Sequence, residues 1–96
     1  MFQEINGQNR GGGMRLFDII YFYRGVLTEE AQLETPRLVG NEFDLIWKCT
    51  DDIQTHYSNG DTSKAMRFLG FVQGIFLTRG IYDINELKHH NQGVDD

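Results

Sequence analysis

The sequence predicts a mainly α-helical fold, an antiparallel helical hairpin with a short third helix packed against it. Two long segments, 41–58 and 62–79, carry apolar residues at helical spacing. About three residues, 59–61, separate them, and so short a connection makes an antiparallel hairpin. A capping pattern then opens a third segment at Asp83. The N-terminal segment is the one part whose conformation the pattern leaves open.

Length and composition set the organisation of the chain. Ninety-six residues form one small domain, and a hydrophobic fraction of 40% is enough for a core. We expect a flexible arm over 1–13, a helical domain over 14–93 and a frayed tail over 94–96. A domain this small is only marginally stable by itself, which favours a homo-oligomer. One cysteine and no signal-peptide pattern indicate a soluble, cytoplasmic protein.

The N-terminal segment, RLFDIIYFYRGV at 15–26, is rich in residues that favour strands. As a helix it places Arg15, Asp18, Tyr21 and Gly25 on one polar side, whereas as a strand it shows apolar residues on both faces. We favour the helix, because a lone strand has no partner in a helical chain. The alternative is a strand that pairs across a dimer. Residues 28–31 (TEEA) resemble the start of a further helix.

The first hairpin helix, 41–58, has Asn41 as its N-cap candidate and ends at Asn59-Gly60. Its apolar stripe contains Phe43, Ile46, Trp47, Thr50, Ile53 and Tyr57. A tryptophan on such a stripe is usually a core residue. It is also one of the residue types that anchor protein interfaces.

The second hairpin helix has a cap candidate in Asp61 or Thr62 and a terminating Gly80. Apolar side chains cover nearly its whole circumference, which predicts a central helix packed on several sides. Gly70 and Gly74 lie one turn apart, and we expect them to form a packing groove for another helix or, as the alternative, a ligand approach. The apolar run is too short and too polar to span a membrane.

The third helix is predicted over about 84–90. Asp83 and Glu86 form a capping box at its start, and Tyr82 with Leu87 fits a hydrophobic staple. His89 and His90 follow at the C-terminal end, where the helix dipole favours positive charge.

Catalytic and metal chemistry are not expected. No nucleophile motif, phosphate loop or dinucleotide fingerprint is present. Cys49 and His56 lie two helical turns apart, about 10.5 Å along the axis, which is too far to share one metal ion easily. Asp51 and Asp52 are neighbours that point apart on a helix, as expected for a solvated acidic face. The sequence thus predicts no enzyme, no metal and no cofactor.

Four residues are candidates for binding a partner: Trp47, Arg67, Gln73 and Arg79. Tryptophan and arginine are enriched at interface hot spots. A buried glutamine must find hydrogen-bond partners, and these are usually nearby backbone groups. The sharper interpretation is that Gln73 holds the N-terminal segment or a partner chain.

The C-terminal half resembles a module found in small accessory proteins of tailed bacteriophages. The resemblance covers about 41–91 and is carried by NEFDLIW, KAMRFLGFVQG, GIYDI at 80–84, ELK at 86–88 and HN at 90–91. It implies a phage protein that acts in the cytoplasm of the infected bacterium by binding a host protein and modulating or inhibiting it. The resemblance transfers no catalytic residue.

Two other functions stay open. One is a small-ligand binder, such as a nucleotide sponge formed between subunits, in which Arg15, Arg24, Arg67 and Arg79 contact phosphate. The other is mimicry of nucleic acid by acidic residues of the first hairpin helix, for which a net charge of −5 is small. The same negative charge makes direct binding to nucleic acid a poor expectation.

Overall fold

A computed structural model describes residues 14–94, which form four α-helices. They are α1 (Leu16–Ala31), α2 (Glu42–Ser58), α3 (Thr62–Thr78) and α4 (Ile84–Asn91). The part of the chain that the structure describes is 72% helical and contains no strand, which confirms the mainly α-helical prediction. The predicted flexible arm, 1–13, and the last two residues of the predicted tail lie outside the described residues.

Helix α1 confirms the favoured interpretation of the N-terminal segment. Its inward residues recur at helical spacing: Leu16, Ile19, Ile20, Tyr23, Val26, Leu27 and Glu30. The predicted polar side, including Tyr21 and Gly25, is exposed. The separate helix start at 28–31 is wrong, because these residues form the last turn of α1. The Thr28 hydroxyl donates back to the Arg24 carbonyl (3.3 Å) rather than capping a new helix.

The hairpin of α2 and α3 is confirmed, and the signals at its turn act as predicted. Gly60 adopts a φ of 84° after α2, and the Asp61 carboxylate accepts the Lys64 amide at the start of α3 (3.1 Å). Asn41 is the N-cap residue of α2, as predicted, but its side chain makes no cap hydrogen bond. The Glu42 carboxylate accepts the amide of Val39 (2.8 Å), which lies before the helix.

The core lies between the inward sides of the first three helices. Its fully buried members are Ile19, Tyr23, Ile46, Ile53, Ala65, Val72 and Phe76. The prediction that α3 packs on several sides is wrong. Its buried residues recur every three or four positions, so they cover one side only, and Phe71 and Leu77 on the other side are exposed.

The connection between α1 and α2 is fixed by a buried carboxylate. Glu30 accepts hydrogen bonds from the backbone amide (2.8 Å) and the Nε (2.9 Å) of Arg37. Burial alone would raise the pKa of Glu30, but these hydrogen bonds and the arginine charge outweigh it and lower the pKa. Leu38, the residue that follows Arg37, is buried.

Helix α4 is the last element of the fold and begins after the cap residue Asp83. The capping box is confirmed: Asp83 accepts the Glu86 amide and Glu86 accepts the Asp83 amide, both at 2.8 Å. Leu87 and His90 are the buried residues of this helix. After it, Val94 packs half-buried against the core. None of the helices in residues 14–94 has the length and apolar character needed to cross a membrane.

Candidate functional site

A surface depression runs between α2 and α3 and is called here the α2–α3 groove. Its volume is about 580 Å³. The apolar lining consists of Leu45, Cys49, Phe68 and Phe71, and the polar lining of Lys48, Asp52, His56, Lys64 and Arg67. Phe71 is 50% exposed, although it lies in the most apolar segment of the sequence. The groove is therefore an open apolar surface with charged residues around it.

Helical spacing explains why these residues meet. Along α2 the lining begins at Leu45 and ends at His56, with positions three or four residues apart. Along α3 it begins at Lys64 and ends at Phe71 with the same spacing. Because the two helices form an antiparallel hairpin, the two rows lie side by side. The groove thus follows directly from the hairpin.

The cations of the groove differ from other cations in the fold. Arg24 pairs with Asp51, Arg37 with Glu30, and Arg79 with Glu42. These are the salt bridges of residues 14–94, and none of them includes the groove residues Lys48, Lys64 or Arg67. Asp52 is the single carboxylate of the groove lining. The groove therefore carries a local positive charge in a chain whose net charge is −5.

Cys49 and His56 line the same groove, but their arrangement does not suit nucleophilic catalysis. They are two turns apart on α2, about 10.5 Å along the axis, beyond the reach of a hydrogen bond. Burial raises the pKa of the Cys49 thiol, and the nearby Asp52 carboxylate raises it further. The His56 ring stacks on Phe68, with ring centroids 5.5 Å apart. Cys49 and His56 therefore do not form a nucleophile–base pair in the groove.

Residues 14–94 contain no group of three His, Cys, Asp or Glu side chains placed to hold a metal ion. His89 and His90 illustrate the reason. Adjacent residues on a helix point in different directions. His90 is buried, whereas His89 is exposed.

A second set of polar residues lies on the opposite, inward side of α3. We call it the Tyr23 cluster, and it comprises Tyr23, Gln73, His90 and Asn91. Gln73 Nε2 donates to the Tyr23 hydroxyl (3.0 Å) and to Asn91 Oδ1 (2.8 Å), and its Oε1 accepts from Asn91 Nδ2 (3.1 Å). The Tyr23 hydroxyl also lies 2.8 Å from His90 Nδ1. The cluster connects α1, α3 and α4.

The geometry of the Tyr23 cluster favours a neutral His90. Since the Tyr23 oxygen accepts from Gln73, its own proton is available to donate to His90 Nδ1. Burial lowers the pKa of His90, and the neighbouring His89 lowers it further. Burial also raises the pKa of Tyr23, so its hydroxyl stays protonated. Gln73 therefore bonds to side chains of α1 and α4 rather than to nearby backbone groups, and its contact with Tyr23 agrees with the sharper interpretation, in which Gln73 holds the N-terminal segment.

The four predicted partner-binding residues do not form one site. Arg67 lines the groove, whereas Gln73 is buried in the Tyr23 cluster. Arg79 pairs with Glu42, with Nη2 2.7 Å from Oε2, and this contact lowers the pKa of Glu42. Trp47 is 46% exposed beneath the Arg24 guanidinium, 4.7 Å from the ring centroid. The expectation that Trp47 is a core residue is wrong, because it lies at the edge of the buried stripe of α2.

Gly70 and Gly74 lie beside the groove, where the expected helix crossing does not occur within the described chain. No neighbouring heavy atom lies within 4 Å of the position that a Cβ would take at either glycine. Together with Phe71 and Arg79 they line a second depression of about 330 Å³. Because Phe71 borders both depressions, the open surface continues along α3 from the first to the second.

Sequence reasoning missed two surfaces. Part of the α2–α3 groove could have been predicted, since the spacing of Lys64, Arg67 and Phe71 places them on one side of α3. The other surface is a patch on α1, called here the α1 face, formed by Phe17, Tyr21 and Phe22. The run of aromatic residues in α1 was visible, but not which of them would be exposed.

Comparisons of the chain with protein-family models, with curated proteins and with solved structures found no match.

Proposed function

We propose that the chain is a phage-type accessory protein that binds a host protein and modulates or inhibits it without catalysis. Its place of action is the cytoplasm of the infected bacterium. The observation that carries the proposal is the open apolar α2–α3 groove. The resemblance to small accessory proteins of tailed bacteriophages supports it, because the matching residues, 41–91, include both helices of the groove.

An exposed apolar surface of this kind is typical of interaction sites. Single exposed apolar residues are normal on a monomer, whereas contiguous patches mark binding surfaces. Leu45 on α2 and Phe71 on α3 are both exposed and line the same groove, so they form one patch. The nucleophile and base that a hydrolase needs are too far apart in this groove, which supports a binding role.

The proposal is tested by capturing the full chain from a bacterial lysate and recording its native mass spectrum. A stoichiometric host protein in the complex supports the proposal, and its loss in Phe71→Glu locates the contact. Leu33→Glu is the matched control, because Leu33 is an exposed apolar residue outside both the groove and α1. A chain that is captured with no host protein contradicts the proposal.

A small anionic ligand is the second candidate, and the size of the groove favours it. Small-molecule sites usually have volumes of about 300–1,000 Å³, a range that includes this groove. Lys64 and Arg67 would contact phosphate, as Arg and Lys commonly do. Arg24 and Arg79, by contrast, are already paired with carboxylates. A small extra mass that is lost on unfolding would support this candidate in the same native mass spectrum.

The expected homo-oligomer is proposed to form through the α1 face. Phe17, Tyr21 and Phe22 are exposed there, and Asp18 is the one charged residue beside them in that depression. A face with so little charge can meet its own copy without repulsion between like charges. Sedimentation of the wild-type chain and of Tyr21→Glu tests this. The proposal predicts a dimer that becomes a monomer in the variant, and a monomeric wild-type chain contradicts it.

A further inference from the structure

We infer that the α2–α3 groove receives an acidic amphipathic helix of the partner protein, which lies along α3. The inference rests on the proposed binding of a host protein and adds the chemistry of the bound segment. The apolar side of that helix would cover Leu45 and Phe71. Its carboxylates would meet Lys48, Lys64 and Arg67.

The shape of the surface suits a helix. Two antiparallel helices leave a groove between them, and an amphipathic helix that lays its apolar side in such a groove is a common recognition mode. The open surface of α3 extends from Lys64 to Thr78 across the two adjoining depressions. At 1.5 Å per residue these 14 steps span about 21 Å, or about four helical turns.

The charges around the groove specify an acidic partner. Lys48, Lys64 and Arg67 form no ion pair with a carboxylate of residues 14–94. A helix with carboxylates on its flanks would pair with them, whereas a basic helix would be repelled. Salt would weaken the complex, because the charges around the groove are exposed and therefore screened.

The distribution of charge also sets an orientation. The end of the surface near Thr78 contains the Arg79–Glu42 pair, which is already neutralised. Two of the three unpaired cations of the groove, Lys64 and Arg67, lie at the other end. The acidic residues of the bound helix should therefore cluster at the end that lies beside Lys64. The remainder of that helix should be apolar and small or uncharged beside Gly70 and Gly74.

The experiment places the photocrosslinker p-benzoylphenylalanine at position 71 of the full chain, which is then irradiated in bacterial lysate. Mass spectrometry identifies the crosslinked segment of the partner. The inference predicts a segment with helical spacing of apolar residues and carboxylates at one end. The double variant Lys64→Glu, Arg67→Glu should reduce the crosslinked yield by more than about tenfold, equivalent to 1.4 kcal/mol or more.

Lys88→Glu is the matched control for charge, because Lys88 is an exposed cation on α4 outside the groove. Its crosslinked yield should equal that of the parent chain. A crosslink to a segment without carboxylates, or to a second copy of this chain, overturns the inference. So does a yield that the double variant leaves unchanged. In these three cases capture of a host protein still supports the proposed function, whereas failure to capture any host protein overturns both.

Discussion

The polar residues on the two sides of α3 differ in whether they have partners within the fold. On the inward side, Gln73 has hydrogen-bond partners on α1 and α4. On the outward side, Arg67 lies beside the exposed Phe71 and forms no ion pair within residues 14–94. One helix thus carries a closed polar cluster on one side and an open charged groove on the other.

This difference teaches how to separate structural from functional polar residues. Gln73 and Arg67 both interrupt the same apolar run, and the sequence pattern makes both of them candidates for binding a partner. Their surroundings distinguish the two residues. A buried polar group needs hydrogen-bond partners within the fold, whereas an exposed one can bind water or a ligand. The Tyr23 cluster therefore has a structural role, and the α2–α3 groove is the surface that we propose for binding.

The largest expected effect compares two phenylalanines of α3. Phe76 is fully buried and Phe71 is 50% exposed. Phe76→Ala should lower the free energy of unfolding by about 3–5 kcal/mol, because it leaves a core cavity. Phe71→Ala should change it by about 0.5 kcal/mol or less. Denaturant unfolding measures both, and equal losses in the two variants would show that the groove is part of the core.

The next effect concerns the hydroxyl at the centre of the Tyr23 cluster. Tyr23→Phe removes the hydroxyl that Gln73 and His90 share, so His90 Nδ1 and one N–H of Gln73 lose their hydrogen-bond partner. The free energy of unfolding should fall by about 1–3 kcal/mol. Tyr21→Phe is the matched control, since the Tyr21 side chain is 82% exposed and should tolerate the change. Similar stability of the two variants would contradict the structural role of the cluster.

Acid should loosen the Tyr23 cluster before it affects the carboxylates. Since the pKa of His90 is lowered from 6.5, the unfolded chain binds more protons than the folded one as the pH falls below that value. The free energy of unfolding should therefore decrease from about pH 6.5 downward through the lowered pKa. Glu86 faces His90 and opposes this effect, whereas His89 strengthens it.

Glu30 and Glu42 respond in a separate range of pH. Their pKa values are lowered from 4.5, so their stabilising contribution is complete above 4.5 and is lost as the pH falls below it. Unfolding at a series of pH values distinguishes the two ranges. His90→Gln should abolish the decrease that starts near pH 6.5 and leave the lower one. Persistence of the upper decrease in this variant would exclude His90 as its source.

The smallest expected effect is a gain in stability. Gly25 on α1 and Gly74 on α3 are exposed helical glycines, and a Cβ at either would meet no heavy atom within 4 Å. Gly25→Ala and Gly74→Ala should each raise the free energy of unfolding by about 0.5–1 kcal/mol. Only Gly74→Ala should weaken capture of the host protein, because it alone fills the open surface of α3. Equal capture by both variants would mean that no partner backbone approaches Gly74.

The sequence predicted the local features well because their causes are local. The Asp61 cap, the left-handed conformation of Gly80 (φ 73°) and the capping box of Asp83 and Glu86 each depend on residues within one turn. The hairpin follows from two amphipathic segments and a short connection. Asn41 occupies the predicted N-cap position without a side-chain cap, because its backbone (φ −88°, ψ 13°) does not have the extended conformation that such a cap needs.

The tertiary features could not be predicted from spacing alone. Tyr23 and Gln73 are 50 positions apart, so their hydrogen bond depends on how α1 docks against α3. Which side of α3 stays open likewise depends on how the other helices surround it. Trp47 shows the same limit, because Cys49 on the same helix is buried in the core whereas the tryptophan at the edge of the stripe is 46% exposed.

The most direct test of the account measures stability and binding together in Phe71→Glu. If the α2–α3 groove is a binding surface, the variant should keep its free energy of unfolding within about 1 kcal/mol of the wild-type value. It should also lose the captured host protein, because a carboxylate in the groove repels an acidic helix. A folded variant that still captures the host protein would contradict the account, as would a variant that unfolds.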